Sequence, residues 1–336
     1  MSGAILLTGG NGLVGANLTR RLLETEPDSE LIVVDREAPG PLVARLLGED
    51  RARVTFLQGD IDDPGTFDGL EPDRVRVVIH AAMIAHVPEW EHTRPRDYVA
   101  TNVLGTANVL EWARRQTGLD RFVYVSTGGV YGEQSPESSE APQSEDGPLV
   151  PPELYAISKH ASEQIVRRYG ELFGLDVRRV RLSGVFGPLE RRTVSRTIMS
   201  PVHTVMHAAV LGRPVRVTAR TLVSVGDHIS ATEVADGLAA LVRTPSPAHD
   251  VYNLAHGELT TFAELIALAE QAGAPVDLRV VDDAAEAELD LDPANRRARW
   301  NAYDIARARA DLGYAPRPLV EQLRSYLSWL RAFELA

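Results

Sequence analysis

The chain has 336 residues, 44% of them hydrophobic and 24% charged, and carries a formal net charge of −12. This is an ordinary composition for a soluble globular protein, and the length suffices for two subdomains. Having no cysteine, the chain has no disulfide, thiolate nucleophile or thiolate metal site, and its acidity gives no general attraction to nucleic acid or anionic membranes.

Apolar runs alternate with longer helical patterns through the first half. Strands are predicted at 4–9, 31–35, 53–60, 76–82, 121–127 and 176–184, several nearly all apolar, as in strands covered on both faces. Helices are predicted at 13–24, 95–117 and 152–173, so the repeated βαβ pattern requires a parallel sheet. Residues 133–153 are polar and Pro-rich and read as a loop over a cleft. Beyond residue 184 the alternation loosens into segments 195–212, 231–242 and 261–273, then two helices near 303–312 and 318–332. No run of about 18 apolar residues appears, nor a basic leader with an apolar segment, so a cytoplasmic protein without a membrane partner is expected.

The stretch "LLTGGNGLVGANLTRRLLE" (6–24) sets Gly9, Gly12 and Gly15 between the first strand and the first helix. Glycines there allow a tight turn and let backbone N–H groups approach a pyrophosphate at the helix N-terminus, whose dipole favours negative charge. The second strand closes on Asp35, twenty residues after the last glycine. A carboxylate in that place accepts hydrogen bonds from the adenosine ribose hydroxyls and repels a 2′-phosphate, which points to NAD over NADP. Arg36 next to it leaves phosphate binding open.

Tyr155 and Lys159 lie four residues apart on a predicted helix and share one face. Among 35 Lys and Arg residues, Lys159 is the only lysine. A tyrosine with a pKa near 10 is a poor base at neutral pH, and a nearby ammonium favours its phenolate. A compact ammonium fits beneath the phenol and beside a ribose where a planar guanidinium does not.

With these motifs the sequence resembles the extended short-chain dehydrogenase/reductase family, the NAD-dependent epimerases, dehydratases and dehydrogenases of sugars. The resemblance covers nearly the whole chain and rests on "TGGNGLVG" (8–15), "VVD" (33–35), "GDI" (59–61), "HAA" (80–82), "NVLGT" (102–106), "VYVSTGGVYG" (123–132), "YAISK" (155–159), "VRLSGVFGP" (180–188), "HISATEVADGL" (228–238) and "VYNLAHGE" (251–258). It implies a Rossmann-type doubly wound parallel sheet with a smaller, mostly C-terminal substrate-binding subdomain. Residues 1–183 and 224–255 would form the NAD-binding domain, and 184–223 and 256–336 the substrate-binding part. By resemblance Leu13, Val14, Asp60, Ile61, Ala81, Ala82, Asn102, Ser126 and Ser183 would join the glycine turn, Asp35, Tyr155 and Lys159 around NAD. Thr127 would hydrogen-bond the substrate oxygen that Tyr155 deprotonates, while hydride passes from the carbinol carbon to the nicotinamide.

Departures from the family pattern bear on the substrate. The 4,6-dehydratases of the family follow the threonine with Asp-Glu; here Gly128 and Gly129 stand there, so that elimination is expected to lack its catalysts. Epimerases carry Asn where Gly184 stands and Arg where Gly226 precedes Asp227, so two diphosphate anchors are missing. Either the substrate is smaller, a free sugar or sugar acid, or arginines of "LERRTVSR" (189–196) take over: Arg191, Arg192 and Arg196. Gly128, Gly129, Arg191, Arg192 and His86, which follows the fourth strand, are the candidate substrate residues. Each of these arginines and His86 has the plain alternative of a solvated loop position. The histidines show no metal-ligand spacing. The expected function is oxidation or epimerisation at a secondary hydroxyl of a sugar-type small molecule, with a nucleotide-sugar 4-epimerase as alternative. A non-catalytic NAD sensor is a third possibility, opposed by the intact Thr127, Tyr155 and Lys159. The resemblance also implies a homodimer through helices 95–117 and 152–173.

Overall fold

The computed structural model describes residues 3–71, 73–132, 141–291 and 301–334. Part of the loop expected at 133–153, residues 133–140, lies outside the described residues.

Six strands form close to their expected places: β1 (Ala4–Thr8), β2 (Leu31–Asp35), β3 (Val54–Gln58), β4 (Val75–His80), β5 (Arg121–Val125) and β6 (Val177–Leu182). A seventh strand, Val251–Leu254, pairs with β6, giving the order Val251–Leu254, β6, β5, β4, β1, β2, β3. Every pairing in this sheet is parallel. The apolar strands are explained by burial on both faces. Ile5 and Leu7 of β1 and Leu31 and Val33 of β2 enter one core cluster. Ala4, Leu6, Ile32 and Val34, alternating with them, enter the other.

Helix α1 (Leu13–Thr25) follows β1 directly. The single helix expected at 95–117 is instead three pieces: Pro95–Asp97, a π-helical turn at Tyr98–Gly105 and an α-helix at Thr106–Ala113. Close approach accounts for Gly105, since a Cβ there would lie 2.8 Å from Ile61 Cδ1. The helix Leu154–Phe173 is fastened to β6 by Arg181, whose Nε and Nη2 reach the buried Glu163 carboxylate at 3.1 and 2.8 Å. A two-point pair of this kind fixes orientation as well as distance.

Later strands form three small pairs: Gly184–Phe186 with His228–Ser230, Val215–Thr218 with Leu278–Val281, and Val225–Gly226 with Thr260–Thr261. Chain order reverses at β1, flanked by β2 and β4, and in such sheets the carboxyl ends open into a crevice. The loops after β1, β4, β5 and β6 therefore meet there. Among the described residues no helix is long and apolar enough to cross a membrane.

Candidate active site

One cleft of about 750 Å³ runs along the carboxyl edge of the sheet. At one end lies the glycine turn. Gly9 has φ +74°, and a Cβ on it would lie 2.6 Å from Ala82 N; a Cβ on Gly15 would lie 2.7 Å from Gly10 Cα. Both positions require glycine. Helix α1 starts at an N-cap, Gly12, that offers no capping side chain, and its first turn carries no acidic residue. Its leading N–H groups and positive dipole end are thus left for an anion. Asp35 Oδ2 accepts from Asn11 N at 2.9 Å and Oδ1 from Glu37 N at 3.1 Å, fixing the carboxylate on the cleft wall. Burial raises its pKa, against those two backbone hydrogen bonds. Ser126 is buried on the same wall, and its Oγ has no partner among the described residues. Glycine cradle, uncapped helix, cleft-facing carboxylate and spare hydroxyl together fit NAD.

Of the residues expected around the cofactor, Gly9, Gly12, Leu13, Val14, Gly15, Asp35, Arg36, Asp60, Ile61, Ala81, Ala82, Ser126, Tyr155 and Ser183 line the cleft. Asn102 does not. It is buried, its Oδ1 accepts from Ile84 N at 2.8 Å, and its Nδ2 donates to Ile84 O at 3.1 Å and Ser158 Oγ at 3.0 Å. It supports the loop after β4 from behind.

Thr127 caps the short turn that follows β5, its Oγ1 accepting from Gly129 N at 3.1 Å. Tyr155, in the first turn of the helix Leu154–Phe173, faces the same point, with Oη 3.6 Å from Met83 Sδ. Burial pushes the Tyr155 phenol up to about 12; a hydrogen bond from Thr127 and the positive charge of Arg196 act the other way. Lys159 is 1% exposed, off the cleft lining, donates to Val125 O at 2.7 Å and lies 4.1 Å from the Tyr124 ring centroid. Burial holds it down at about 7, against the opposite pull of Glu163. In this structure packing turns the Lys159 ammonium toward the strand end, and the positive charge of Arg196 acts on the phenol.

The substrate candidates divide. His86 lines the cleft, Nδ1 3.5 Å from Glu153 Oε1. Gly129 lines it too. Arg191 lines it but donates to Asn11 O at 3.3 Å, over the glycine turn. Arg192 is exposed and off the cleft. The turn closed by Thr193 and Arg196 explains the difference: Glu190 is fully buried and holds Arg196 Nη2 at 2.7 Å, whereas Arg192 points outward. Gly128 is also off the lining, because the Tyr303 ring covers it. Tyr303, Met83, Glu153 and His228 line the cleft without having been singled out in the sequence. His228 fills the space beside Gly226, where a Cβ would lie 2.7 Å from its Cε1, and its Nδ1 has no partner among the described residues. Burial lowers its pKa to about 4, followed by the charge of His256, so the ring is neutral.

A doubly wound parallel sheet with this cradle at its reversal point defines a dinucleotide-binding protein of the Rossmann class. More narrowly, residues 5–255 match the model of the NAD dependent epimerase/dehydratase family, and the chain belongs to that family. The dTDP-glucose 4,6-dehydratase of Streptomyces antibioticus is 32% identical over 97% of this chain and 92% of its own length. The enzyme of the same description from Streptomyces griseus is 31% identical over 98% and 94%. Among solved structures, the UDP-glucose 4-epimerase of Thermus thermophilus in complex with NAD is 25% identical, with a TM-score of 0.77 over 98% and 99% of the two chains. A dTDP-glucose 4,6-dehydratase from Bacillus anthracis in complex with NAD shares the fold at 20% identity, with a TM-score of 0.77 over 98% and 97%. These relatives overturn the expectation that Gly128 and Gly129 exclude a 4,6-dehydratase. Two glycines show only that carboxylates are absent at two positions, and elimination can draw its acid and base from elsewhere in a cleft.

Proposed function

We propose that this protein oxidises a secondary hydroxyl of a nucleotide sugar, the step from which epimerisation and related conversions of the sugar start. The reading is carried by one observation: Thr127 and Tyr155 share a single continuous cleft with the glycine turn and Asp35. Bound NAD supplies the hydride acceptor. Gly9, Gly12 and Gly15 hold its pyrophosphate, and Asp35 its adenosine ribose. Thr127 orients the substrate hydroxyl, and Tyr155 Oη takes its proton. Arg196 stabilises the phenolate, and Lys159 fixes the strand end beneath it. At the far end Val225, Phe262 and Leu291 give the cleft apolar walls suited to a nucleobase.

A second reading takes a free sugar or sugar acid as substrate. It is favoured by Gly184 and Gly226, where epimerases carry diphosphate anchors, and by the neutral His228 packed into that space. Incubation with NAD and a panel of dTDP-glucose, UDP-glucose, glucose and glucuronic acid separates the two. Conversion of a nucleotide sugar supports the first reading; net NADH formation from a free sugar, with nucleotide sugars inert, supports the second.

The same proposal includes the division at 184–223 and 256–336, the residues that supply most of the small paired strands. It also includes a homodimer. Val99 and Leu104 on one helix run and Ile157, Leu172 and Phe173 on the other are exposed. Apolar residues on two neighbouring helices suit a second copy of the chain. Sedimentation at micromolar concentration tests it.

A further inference from the structure

Gly128 and Tyr303 are 175 positions apart, yet a Cβ built on Gly128 would overlap the Tyr303 hydroxyl. Any side chain at 128 and the phenol at 303 exclude each other. The phenol is held in place from several sides. Tyr303 N donates to Asp227 Oδ2 at 3.3 Å, and the same carboxylate accepts from His256 N and Gly257 N at 2.9 and 3.0 Å. On either side of it, Gln143 N donates to Ala302 O at 2.7 Å and Asp304 N to Gln143 O at 2.9 Å. Its ring meets Tyr131 edge-on at 5.8 Å.

Backbone and ring are thus anchored, but the hydroxyl has no hydrogen-bond partner among the described residues. Tyr303 is 4% exposed and lines the cleft. The oxygen is not one of the enclosed unpartnered polar atoms, so it opens on the cleft and not on the core. A cleft-facing phenol oxygen with no protein partner points to a partner bound in the cleft. Gly128 is the residue after Thr127, so the Tyr303 hydroxyl stands one residue step from the group proposed to orient the oxidised hydroxyl.

We infer that Tyr303 is a substrate-contacting residue whose hydroxyl hydrogen-bonds a sugar hydroxyl one or two carbons away from the oxidised carbon. This rests on the reading of the cleft given above. Burial, reinforced by Asp227 and Tyr131, raises its pKa well above 10, so it is a neutral donor throughout the working pH range. It sets which sugars fit and how they are turned, and it requires Gly128.

The test uses the full chain with NAD, dTDP-glucose as probe, and the 3-deoxy and 6-deoxy forms of that sugar nucleotide. Tyr303→Phe keeps the ring and should keep the melting temperature. It should lower kcat/KM on dTDP-glucose about tenfold, the loss expected for one hydrogen bond in a closed site. The penalty should vanish with whichever deoxy form lacks the contacted oxygen, an effect that a purely structural role would not produce. Equal kcat and KM for wild type and Tyr303→Phe on dTDP-glucose would overturn the inference alone. A penalty that persists on both deoxy forms would overturn it too. A wild type inert toward every nucleotide sugar would instead overturn the underlying reading of the cleft, and this inference with it. As a second variant, Gly128→Ala should be rescued in melting temperature by Tyr303→Ala, confirming the exclusion independently of turnover.

Discussion

Lys159 Nζ donates to Val125 O at 2.7 Å and stands 4.1 Å from the centroid of the Tyr124 ring. The one lysine of the chain is therefore inserted behind the last residue of β5, two positions before Thr127. A guanidinium is too wide for a pocket that leaves 1% of the side chain exposed. Lys159→Arg should lower turnover about 100-fold or more by displacing the strand end that carries Thr127. Near-normal turnover in that variant would show that only positive charge is needed.

The same burial makes a stability prediction. The ammonium titrates at about 7 in the folded chain against 10.5 ordinarily, so folding disfavours the charged form. Below pH 7 the full penalty is present, and it is relieved as pH rises from 7 toward 10.5. Lys159→Met should thus gain most over the wild type at pH 6, with the gap in denaturant-unfolding free energy closing toward pH 10. A gap that widens with pH would contradict the assignment.

The glycine turn can be tested against a matched control. Gly9→Ala combines a left-handed φ of +74° with a Cβ 2.6 Å from Ala82 N. Gly48→Ala has a similar φ of +57° but open space around it. Both should lose about 1–3 kcal/mol of stability through backbone strain. Only Gly9→Ala should also abolish NAD binding in a calorimetric titration.

On the proposed reading of the cleft, Asp35 is the determinant against the 2′-phosphate. Asp35→Ser removes the carboxylate and its repulsion, so NADP affinity should rise relative to NAD about tenfold or more, helped by Arg36. An unchanged ratio of the two dissociation constants would place cofactor choice elsewhere.

How much of this was legible in the sequence depends on how local each signal is. β1 to β6 fall within two residues of their expected bounds, and burial on both faces writes a nearly unbroken apolar run into β1 and β2. The turn at 9–15 and the Tyr155–Lys159 spacing are equally local. The strand Val251–Leu254 is four residues long and joins the sheet only through its pairing with β6, so no periodicity announces it. The π-helical turn at Tyr98–Gly105 has an ordinary helical composition, and only the approach of Ile61 to Gly105 marks it. The Lys159 pKa depends on which way packing turns an ammonium, which spacing does not reveal. Tyr303 over Gly128 is a contact between distant segments, and Gly128 read alone looks like a lost carboxylate when it is a cleared space.

The central claim is that Tyr155 accepts the substrate proton within the NAD cleft. The phenol lies at about 12 in this structure, so its phenolate fraction rises tenfold per pH unit across the neutral range. The decisive measurement is turnover of the nucleotide sugar that the wild type converts, followed from pH 6 to 9 for wild type and Tyr155→Phe, beside NAD affinity for both. Wild-type turnover rising with pH, with Tyr155→Phe reduced at least about 100-fold and its NAD dissociation constant unchanged, is the predicted result. Full turnover by Tyr155→Phe, or a wild-type rate that falls from pH 6 to 9, would contradict it.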